Sequence, residues 1–138
     1  IIRLMEFYNI SLKNKHVVIL GVSYRGDVGD TRFSPVETLY RLIKSDTPSI
    51  KVHDPYISEW HELEIVVSSE VNEVLIGNPD IIIISTAHSK YSSEEFVSKL
   101  VKTDNCKIFD TVGIFSKTQI QLLKKKHEIS ILGSGEII

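Results

Sequence analysis

Four consecutive isoleucines, Ile81–Ile84, constrain the fold of this chain more than any other stretch. β-Branched residues favour strands, and a run without polar residues needs both faces of its strand covered. Covered faces are typical of parallel sheets with helices on either side. Further β-rich runs predict strands at His16–Leu20, Ile50–His53, Lys107–Asp110 and Ile129–Leu132, and Glu64–Val67 is a candidate for a short sixth strand.

Helix-start signals stand between these runs. Ser34, Pro35 and Glu37 combine a capping serine, a proline suited to the first turn and the acid of a capping box. The box recurs twice, each time with a hydrophobic staple: Ser92 and Glu95 with Tyr91 and Phe96, then Ser116 and Gln119 with Phe115 and Ile120. Because strands and helices alternate, Ser69–Ile76 included, we predict an α/β, doubly wound, mainly parallel sheet of five or six strands with helices on both faces.

Length and composition bound the possible functions. The chain has 138 residues, enough for one domain, and its net charge of −2 favours neither nucleic acid nor an anionic membrane. One cysteine, Cys106, excludes a disulfide framework and fits a reducing cytoplasm, and the histidines lack metal-ligand spacing. No run reaches the roughly 20 apolar residues of a membrane span. The start without methionine or a signal peptide suggests part of a longer protein.

The loop after the first predicted strand is the best candidate for a binding site. In a doubly wound sheet, ligands lie outside the carboxyl ends of the strands. Here Arg25 and Arg32 can grip phosphate, while Asp27 and Asp30 can instead pair with them and merely fix the loop. Both interpretations stay open from composition, because neither G-x-G-x-x-G nor a Walker lysine motif follows this strand.

Three other polar residues have two interpretations each. Asp54 ends the second strand, where it holds a ribose in dinucleotide folds or simply forms an Asp-Pro turn. His88 follows the central strand and either contacts a ligand or hydrogen-bonds within its loop. Cys106 has no base nearby in sequence and is predicted to be a structural thiol. The lysines at 124–126 fit the end of a helix better than a nucleic-acid patch.

One segment resembles a known family. Residues 17–35 read Val-Val-Ile-Leu-Gly-Val-Ser-Tyr-Arg-Gly-Asp-Val-Gly-Asp-Thr-Arg-Phe-Ser-Pro. They closely resemble the start of the C-terminal domain in the UDP-glucose/GDP-mannose dehydrogenase family. Later pieces follow in the same order: Val52-His53-Asp54-Pro55-Tyr56, Ile84-Ser85-Thr86-Ala87-His88 and Ile108-Phe109-Asp110-Thr111. The resemblance implies that residues 12–138 form a Rossmann-like UDP-sugar-binding domain and that residues 1–11 end a connecting helix.

The resemblance also implies roles for the loop. The family oxidises C6 of a nucleotide sugar to a carboxylate with NAD, which a separate N-terminal domain binds, and a central helical region carries the catalytic cysteine and forms the dimer. Arg32 matches the arginine that reaches the NAD side of the cleft. The residues that match the substrate side are Tyr24, Arg25, Asp27, Gly29, Asp30 and Thr31. Neither the glycine-rich cysteine motif nor the NAD fingerprint occurs in this chain, so the chain alone is expected to be inactive.

The segment after Asp110 departs from the UDP-glucose enzymes of the family. Those enzymes carry arginines there, whereas this chain has Val112 and Gly113. Together with the Ala-His-Ser-x-Tyr pattern at residues 87–91, this favours the branch that acts on UDP-N-acetylmannosamine or UDP-N-acetylglucosamine. Two alternatives remain: a free-standing nucleotide-binding module, and a phosphoacceptor receiver domain with Asp54 as acceptor, which lacks the lysine that receivers require at the end of the fifth strand.

Overall fold

The computed structural model describes Glu6, residues 10–47 and residues 49–132. The connecting helix expected over residues 1–11 lies almost entirely outside these described residues, and so do residues 133–138. Of the helices in the described part, none is both long and apolar enough to cross a bilayer.

In the described part of the chain, five parallel strands form the central sheet, which confirms the predicted fold class. The strands are β1 (His16–Leu20), β2 (Ser49–His53), β5 (Ile81–Ile84), β6 (Lys107–Asp110) and β7 (Glu128–Ile131), and their order is β2-β1-β5-β6-β7. The sixth candidate strand is not part of this sheet. Its residues form β4 (Ile65–Val66), which pairs antiparallel with β3 (Glu59–Trp60) in a separate hairpin.

Within residues 10–132, leaving out 48, four α-helices cover the two faces of the sheet. They are α1 (Pro35–Ile43), α2 (Val71–Leu75), α3 (Glu94–Lys102) and α4 (Lys117–Lys124), with a 3₁₀ turn at Ser89–Ser92 before α3. The second helix is shorter than the predicted Ser69–Ile76. Alternate residues of the three central strands, β1, β5 and β6, enter opposite cores. Ile82 and Ile84 pack with α2, α3 and α4, and Ile81 and Ile83 pack with α1 and the hairpin. This two-sided burial explains the unbroken isoleucine run.

The helix caps follow the sequence in part. Ser34 caps α1 through the amide of Val36, but Glu37 pairs with Arg41 one turn on. Ser116 and Gln119 form the predicted capping box of α4. The box predicted at Ser92 is wrong. Ser93 caps α3 through the amide of Phe96, because Ser92 belongs to the 3₁₀ turn and donates to the carbonyl of Ser89.

The chain changes direction across the sheet between β1 and β5. The connection after β1 leads to β2 on one side, and the connection after β5 leads to β6 on the other. Such a switch point leaves a crevice at the carboxyl ends of the two central strands, where ligands of open α/β sheets bind. Residues 21–34, here called the β1–α1 loop, and residues 85–93, the β5–α3 loop, border this crevice.

Candidate functional site

The two loops that border the crevice are joined directly. The Asp27 carboxylate accepts hydrogen bonds from the Ser89 amide at 2.8 Å and the Ser89 hydroxyl at 2.9 Å. These two hydrogen bonds hold the pKa of Asp27 below its ordinary value, and the bond from the Ser89 amide has the larger effect. A Cβ atom added at Gly26 would stand 2.1 Å from the Ala87 carbonyl oxygen, so only glycine permits this approach of the loops.

The start of the β1–α1 loop is also held by the β5–α3 loop, through Thr86. Gly21 has φ +92°, and a Cβ atom there would lie 2.4 Å from the Cβ of Thr86. The Thr86 hydroxyl donates to the Ser23 carbonyl at 2.8 Å. Further along, the Tyr24 amide donates to the Asp30 carbonyl at 2.9 Å and closes the loop on itself. The loop is therefore held at several points rather than free to rearrange.

The two arginines of the loop have different environments. Arg32 donates through Nε and Nη2 to the Asp30 carboxylate at 3.0 and 2.7 Å, and this contact lowers the pKa of Asp30 to about 2. Arg25 has no ion pair with any acid in the described part of the chain, and its guanidinium lies 5.7 Å from the centre of the Tyr24 ring. Internal pairing thus explains Arg32 and Asp30, but not Arg25 and Asp27. Both Tyr24 and Arg25 are exposed at the crevice.

Thr31 and Gly29 each contact another segment of the chain. Thr31 is buried, and its hydroxyl donates to the Glu62 carboxylate at 2.7 Å. Gly29 lies against the Tyr56 carbonyl, because a Cβ atom there would stand 2.7 Å from that oxygen. These contacts attach the loop to the segment around the β3–β4 hairpin. A role of either residue toward substrate stays a prediction.

A buried Asp–His pair lies beneath the loop. Asp54 and His88 are both 0 % exposed, and His88 Nε2 lies 2.9 Å from Asp54 Oδ2. The same oxygen accepts from the amides of Val22 and Ser23, and the other carboxylate oxygen accepts from the Tyr56 amide. Burial raises the pKa of Asp54, but these hydrogen bonds, above all the one from His88, leave it below the ordinary value.

This burial decides between the two interpretations of each residue. Asp54 has no surface with which to hold a ribose or accept a phosphoryl group, so it does not contact a ligand directly. His88 hydrogen-bonds within the protein and does not face the crevice. The sequence did not reveal that they are partners, because they are 34 residues apart. The signal in the sequence is that each residue stands at the carboxyl end of a predicted strand, and the structure places both of these strands next to β1.

A second buried acid organises the loop after β6. Asp110 is 0 % exposed, and its carboxylate accepts from four consecutive backbone amides, those of residues 112–115. The neighbouring Thr111 hydroxyl donates to the Ile84 carbonyl at 2.7 Å. The turn that leads into α4 is thereby fixed without any arginine, so its contribution to the crevice is backbone and apolar side chain.

Cys106 is a structural thiol, as predicted. It is 3 % exposed, and burial raises its pKa to about 12. His127 lies nearby, but Nδ1 of its ring accepts from the Cys106 amide and Nε2 lies 2.9 Å from the Leu100 carbonyl. His127 Nδ1 also lies 3.4 Å from the Cys106 sulfur. Because burial raises the pKa of the thiol, the thiol stays protonated, and this contact is structural rather than a reactive dyad.

Comparisons with known proteins connect this geometry to a family. The sequence model described as the UDP-glucose/GDP-mannose dehydrogenase family, UDP binding domain, matches residues 18–117. UDP-N-acetyl-D-mannosamine dehydrogenase of Methanococcus vannielii is 29 % identical over 135 residues, covering 94 % of this chain and 30 % of the relative. The enzyme of that name from Pyrococcus horikoshii is 30 % identical over 95 residues, covering 68 % and 21 %. The chain therefore spans less than a third of the length of these relatives.

Solved structures give the same result for the fold. NDP-N-acetyl-D-galactosaminuronic acid dehydrogenase of Methanosarcina mazei Go1 superposes with a TM-score of 0.77 at 25 % identity, over 96 % of this chain and 27 % of that one. UDP-D-ManNAc dehydrogenase of Pyrococcus horikoshii superposes with a TM-score of 0.68 at 22 % identity, over 93 % and 28 %. The matched segment contains the last three residues of β1, the β1–α1 loop and the buried Asp54–His88 pair. The chain belongs to the UDP-glucose/GDP-mannose dehydrogenase family and contains its UDP-binding domain.

Proposed function

We propose that this chain holds the UDP part of a nucleotide sugar for an NAD-dependent 6-dehydrogenase that converts the sugar to a uronic acid. The observation that carries the proposal is Arg25. It is an exposed arginine without an acidic partner in the described residues, on the loop that borders the switch-point crevice of a UDP-binding-domain fold. A guanidinium can bind a diphosphate through paired hydrogen bonds, and the exposed Tyr24 ring beside it can stack on a base or ribose.

The neighbouring residues support this site in different ways. Asp27 and Asp30 hold the backbone and side chains around Arg25, through Ser89 and Arg32 respectively. Gly29 and Thr31 attach the loop to the hairpin side. Holding the diphosphate would fix the sugar so that its C6 meets the reacting groups of the rest of the enzyme, an orientation effect that speeds the reaction without any chemistry by this chain.

The cofactor assignment rests on one residue. When bound, NAD would supply the hydride acceptor for the oxidation at C6. Arg32 is 77 % exposed on its side chain and pairs with Asp30, so it can present a positive charge toward the cofactor side of a cleft. The chain contains no glycine-rich dinucleotide motif after β1, so the main NAD site belongs to the N-terminal domain of the intact enzyme.

The wider setting follows from the family. Residues 12–138 would form the substrate-binding domain, and residues 1–11 the end of the helix that connects it to the catalytic region. The intact enzyme would be a homodimer or larger, cytoplasmic, and active in making precursors for polysaccharides. UDP-N-acetylmannosamine is the favoured substrate because the relatives quoted above carry that name and because Val112 and Gly113 replace the arginines of the UDP-glucose enzymes.

Replacing Arg25 with alanine tests the proposal. We expect isothermal titration calorimetry to show binding of UDP and UDP-N-acetylmannosamine to the 138-residue chain. The R25A variant should bind at least about tenfold more weakly, because a charge-assisted hydrogen bond contributes about 1.5–3 kcal/mol. Arg41→Ala is the matched control, since it removes the same charge from the exposed Glu37 pair on α1. Equal affinity of R25A and wild type would contradict the assignment of Arg25.

The chain alone should not produce NADH. We expect no increase in NADH absorbance when the purified chain is mixed with NAD and UDP-N-acetylmannosamine or UDP-N-acetylglucosamine, because the cysteine motif of the family is absent and Cys106 is buried with a raised pKa. As a control, titration calorimetry with UDP on the same sample should show that the chain is folded and binds UDP. Turnover above the rate of a buffer control would show that the catalytic groups lie within this chain.

A further inference from the structure

The short segment that carries Arg25 is suspended between two anchors. On its amino-terminal side, the amides of Val22 and Ser23 donate to Asp54 Oδ2 at 2.9 and 3.2 Å, and the Ser23 hydroxyl adds a third bond at 3.1 Å. On its carboxyl-terminal side, the Asp27 amide donates to His88 Nδ1 at 2.9 Å. His88 is itself bonded to Asp54 Oδ2, so both anchors lead to one buried carboxylate.

The hydrogen bonds assign the tautomer of His88. Its Nδ1 faces a backbone N–H donor, so this nitrogen carries no proton and accepts. Its Nε2 faces a carboxylate oxygen, so this nitrogen carries the proton and donates. The neutral imidazole thus accepts a hydrogen bond from the Asp27 amide at Nδ1 and donates one to the Asp54 carboxylate at Nε2. The rings of Tyr56 and Tyr91, 5.1 and 5.6 Å away between centroids, hold it in place.

The anchored end of the segment is strained. Asp27 has φ +59°, a left-handed conformation that costs a residue with a Cβ atom free energy. It is held there by His88 on its amide and by Ser89 on its carboxylate. Without the bond to His88, only the Asp27 carboxylate would hold this end, through Ser89. The strained backbone of Asp27 could then relax, and the segment that bears Tyr24 and Arg25 would sample other conformations.

We propose that Asp54 and His88 are positioning residues for Arg25, which keep the diphosphate-binding conformation of the loop formed before the ligand arrives. This inference rests on the proposed function. A protein whose competent conformation is only fractionally populated binds with an affinity reduced by that fraction. If release of the Asp27 anchor lowers the competent fraction to about a tenth, the apparent affinity for UDP falls about tenfold.

Two substitutions of His88 separate the two bonds. In His88→Asn, the amide oxygen takes the place of Nδ1 and still accepts from the Asp27 amide, but nothing reaches Asp54. In His88→Gln, the amide nitrogen takes the place of Nε2 and still donates to Asp54, but the Asp27 amide has no acceptor. We expect H88Q to bind UDP about tenfold more weakly than wild type and H88N to bind within about threefold of wild type.

Stability should follow the opposite order, which a purely structural role would not produce. H88N should be the less stable variant in urea unfolding, because it leaves a cavity and removes the donor from the buried Asp54 carboxylate. H88Q keeps that donor and most of the volume. Tighter UDP binding by the less stable variant supports the proposal. Equal UDP affinities, or affinities in the order of stability, would overturn it.

Two measurements on the wild-type chain hold even if both variants fail to fold. Nitrogen-15 NMR should show the Nε2–H tautomer of His88, and hydrogen exchange should show the Asp27 amide protected without ligand. An Nδ1–H tautomer, or exchange of the Asp27 amide as fast as an open loop, would overturn the proposal. If the wild type binds no UDP, the proposed function fails, while these two measurements still decide whether the anchor exists.

Discussion

Replacing Asp54 with alanine should lower the free energy of unfolding by about 3–5 kcal/mol, because several buried hydrogen-bond donors lose one charged acceptor. One carboxylate accepts from the amides of Val22, Ser23 and Tyr56, from the Ser23 hydroxyl and from the His88 ring, all at 2.9–3.2 Å. Alanine leaves these donors without an acceptor in a region that water does not reach. Urea unfolding followed by circular dichroism measures the change.

Two further variants make this measurement specific. Asp54→Asn keeps the volume and one carbonyl acceptor, so its free energy of unfolding should lie between those of wild type and D54A. Asp30→Ala removes an aspartate from the same edge of the sheet, but its exposed pair with Arg32 contributes little to folding, so unfolding should be nearly unchanged. A D54A variant within about 1 kcal/mol of wild type would show that water replaces the carboxylate, and the anchor would then not be needed.

The strands could be predicted closely because their side chains are buried on both faces. The runs His16–Leu20, Ile81–Ile84 and Lys107–Asp110 coincide with β1, β5 and β6. Dense β-branched and apolar composition leaves no alternative helical face in these runs, so local sequence and tertiary environment agree. Ile65 and Val66 show the limit: two residues with strand propensity do not specify which sheet they join.

The helix caps show a second limit. Ser92 is followed three residues later by Glu95, the acid of a capping box, whereas Ser93 is followed by Phe96, so the sequence favours Ser92 as the cap. The structure uses Ser93 because a 3₁₀ turn, packed by the buried Tyr91, occupies the preceding residues. The start of this helix is thus set by how the β5–α3 loop packs, and that packing is not encoded locally.

The polar contacts of the site were the least predictable part. The sequence places two arginines and two aspartates in one loop, but it does not show which residues they pair with. Asp30 pairs with Arg32 two residues away, a local contact that proximity favours. Asp27 bonds Ser89, 62 residues away, and this leaves Arg25 without an acid. The long-range choice depends on the approach of two loops at the switch point, which follows only from the strand order.

Gly26→Ala should therefore affect both stability and binding. Its Cβ atom would stand 2.1 Å from the Ala87 carbonyl oxygen and 2.8 Å from the carbonyl carbon, and backbone cannot yield as a flexible side chain does. The β1–α1 loop must move away from the β5–α3 loop, which stretches the bonds of Asp27 to Ser89 and His88. We expect a loss of about 2–3 kcal/mol in unfolding free energy and roughly tenfold weaker UDP binding.

Gly77→Ala separates this effect from ordinary backbone strain. Gly77 has φ +88° with nothing within 4 Å of an added Cβ atom, and it lies in the turn before β5, at the opposite edge of the sheet. Alanine there should cost about 1–2 kcal/mol and leave UDP affinity unchanged. Calorimetry and urea unfolding on both variants compare the two effects directly. If G26A kept wild-type affinity despite its lower stability, the contact of the two loops would serve folding alone, and Arg25 would be positioned by the loop itself.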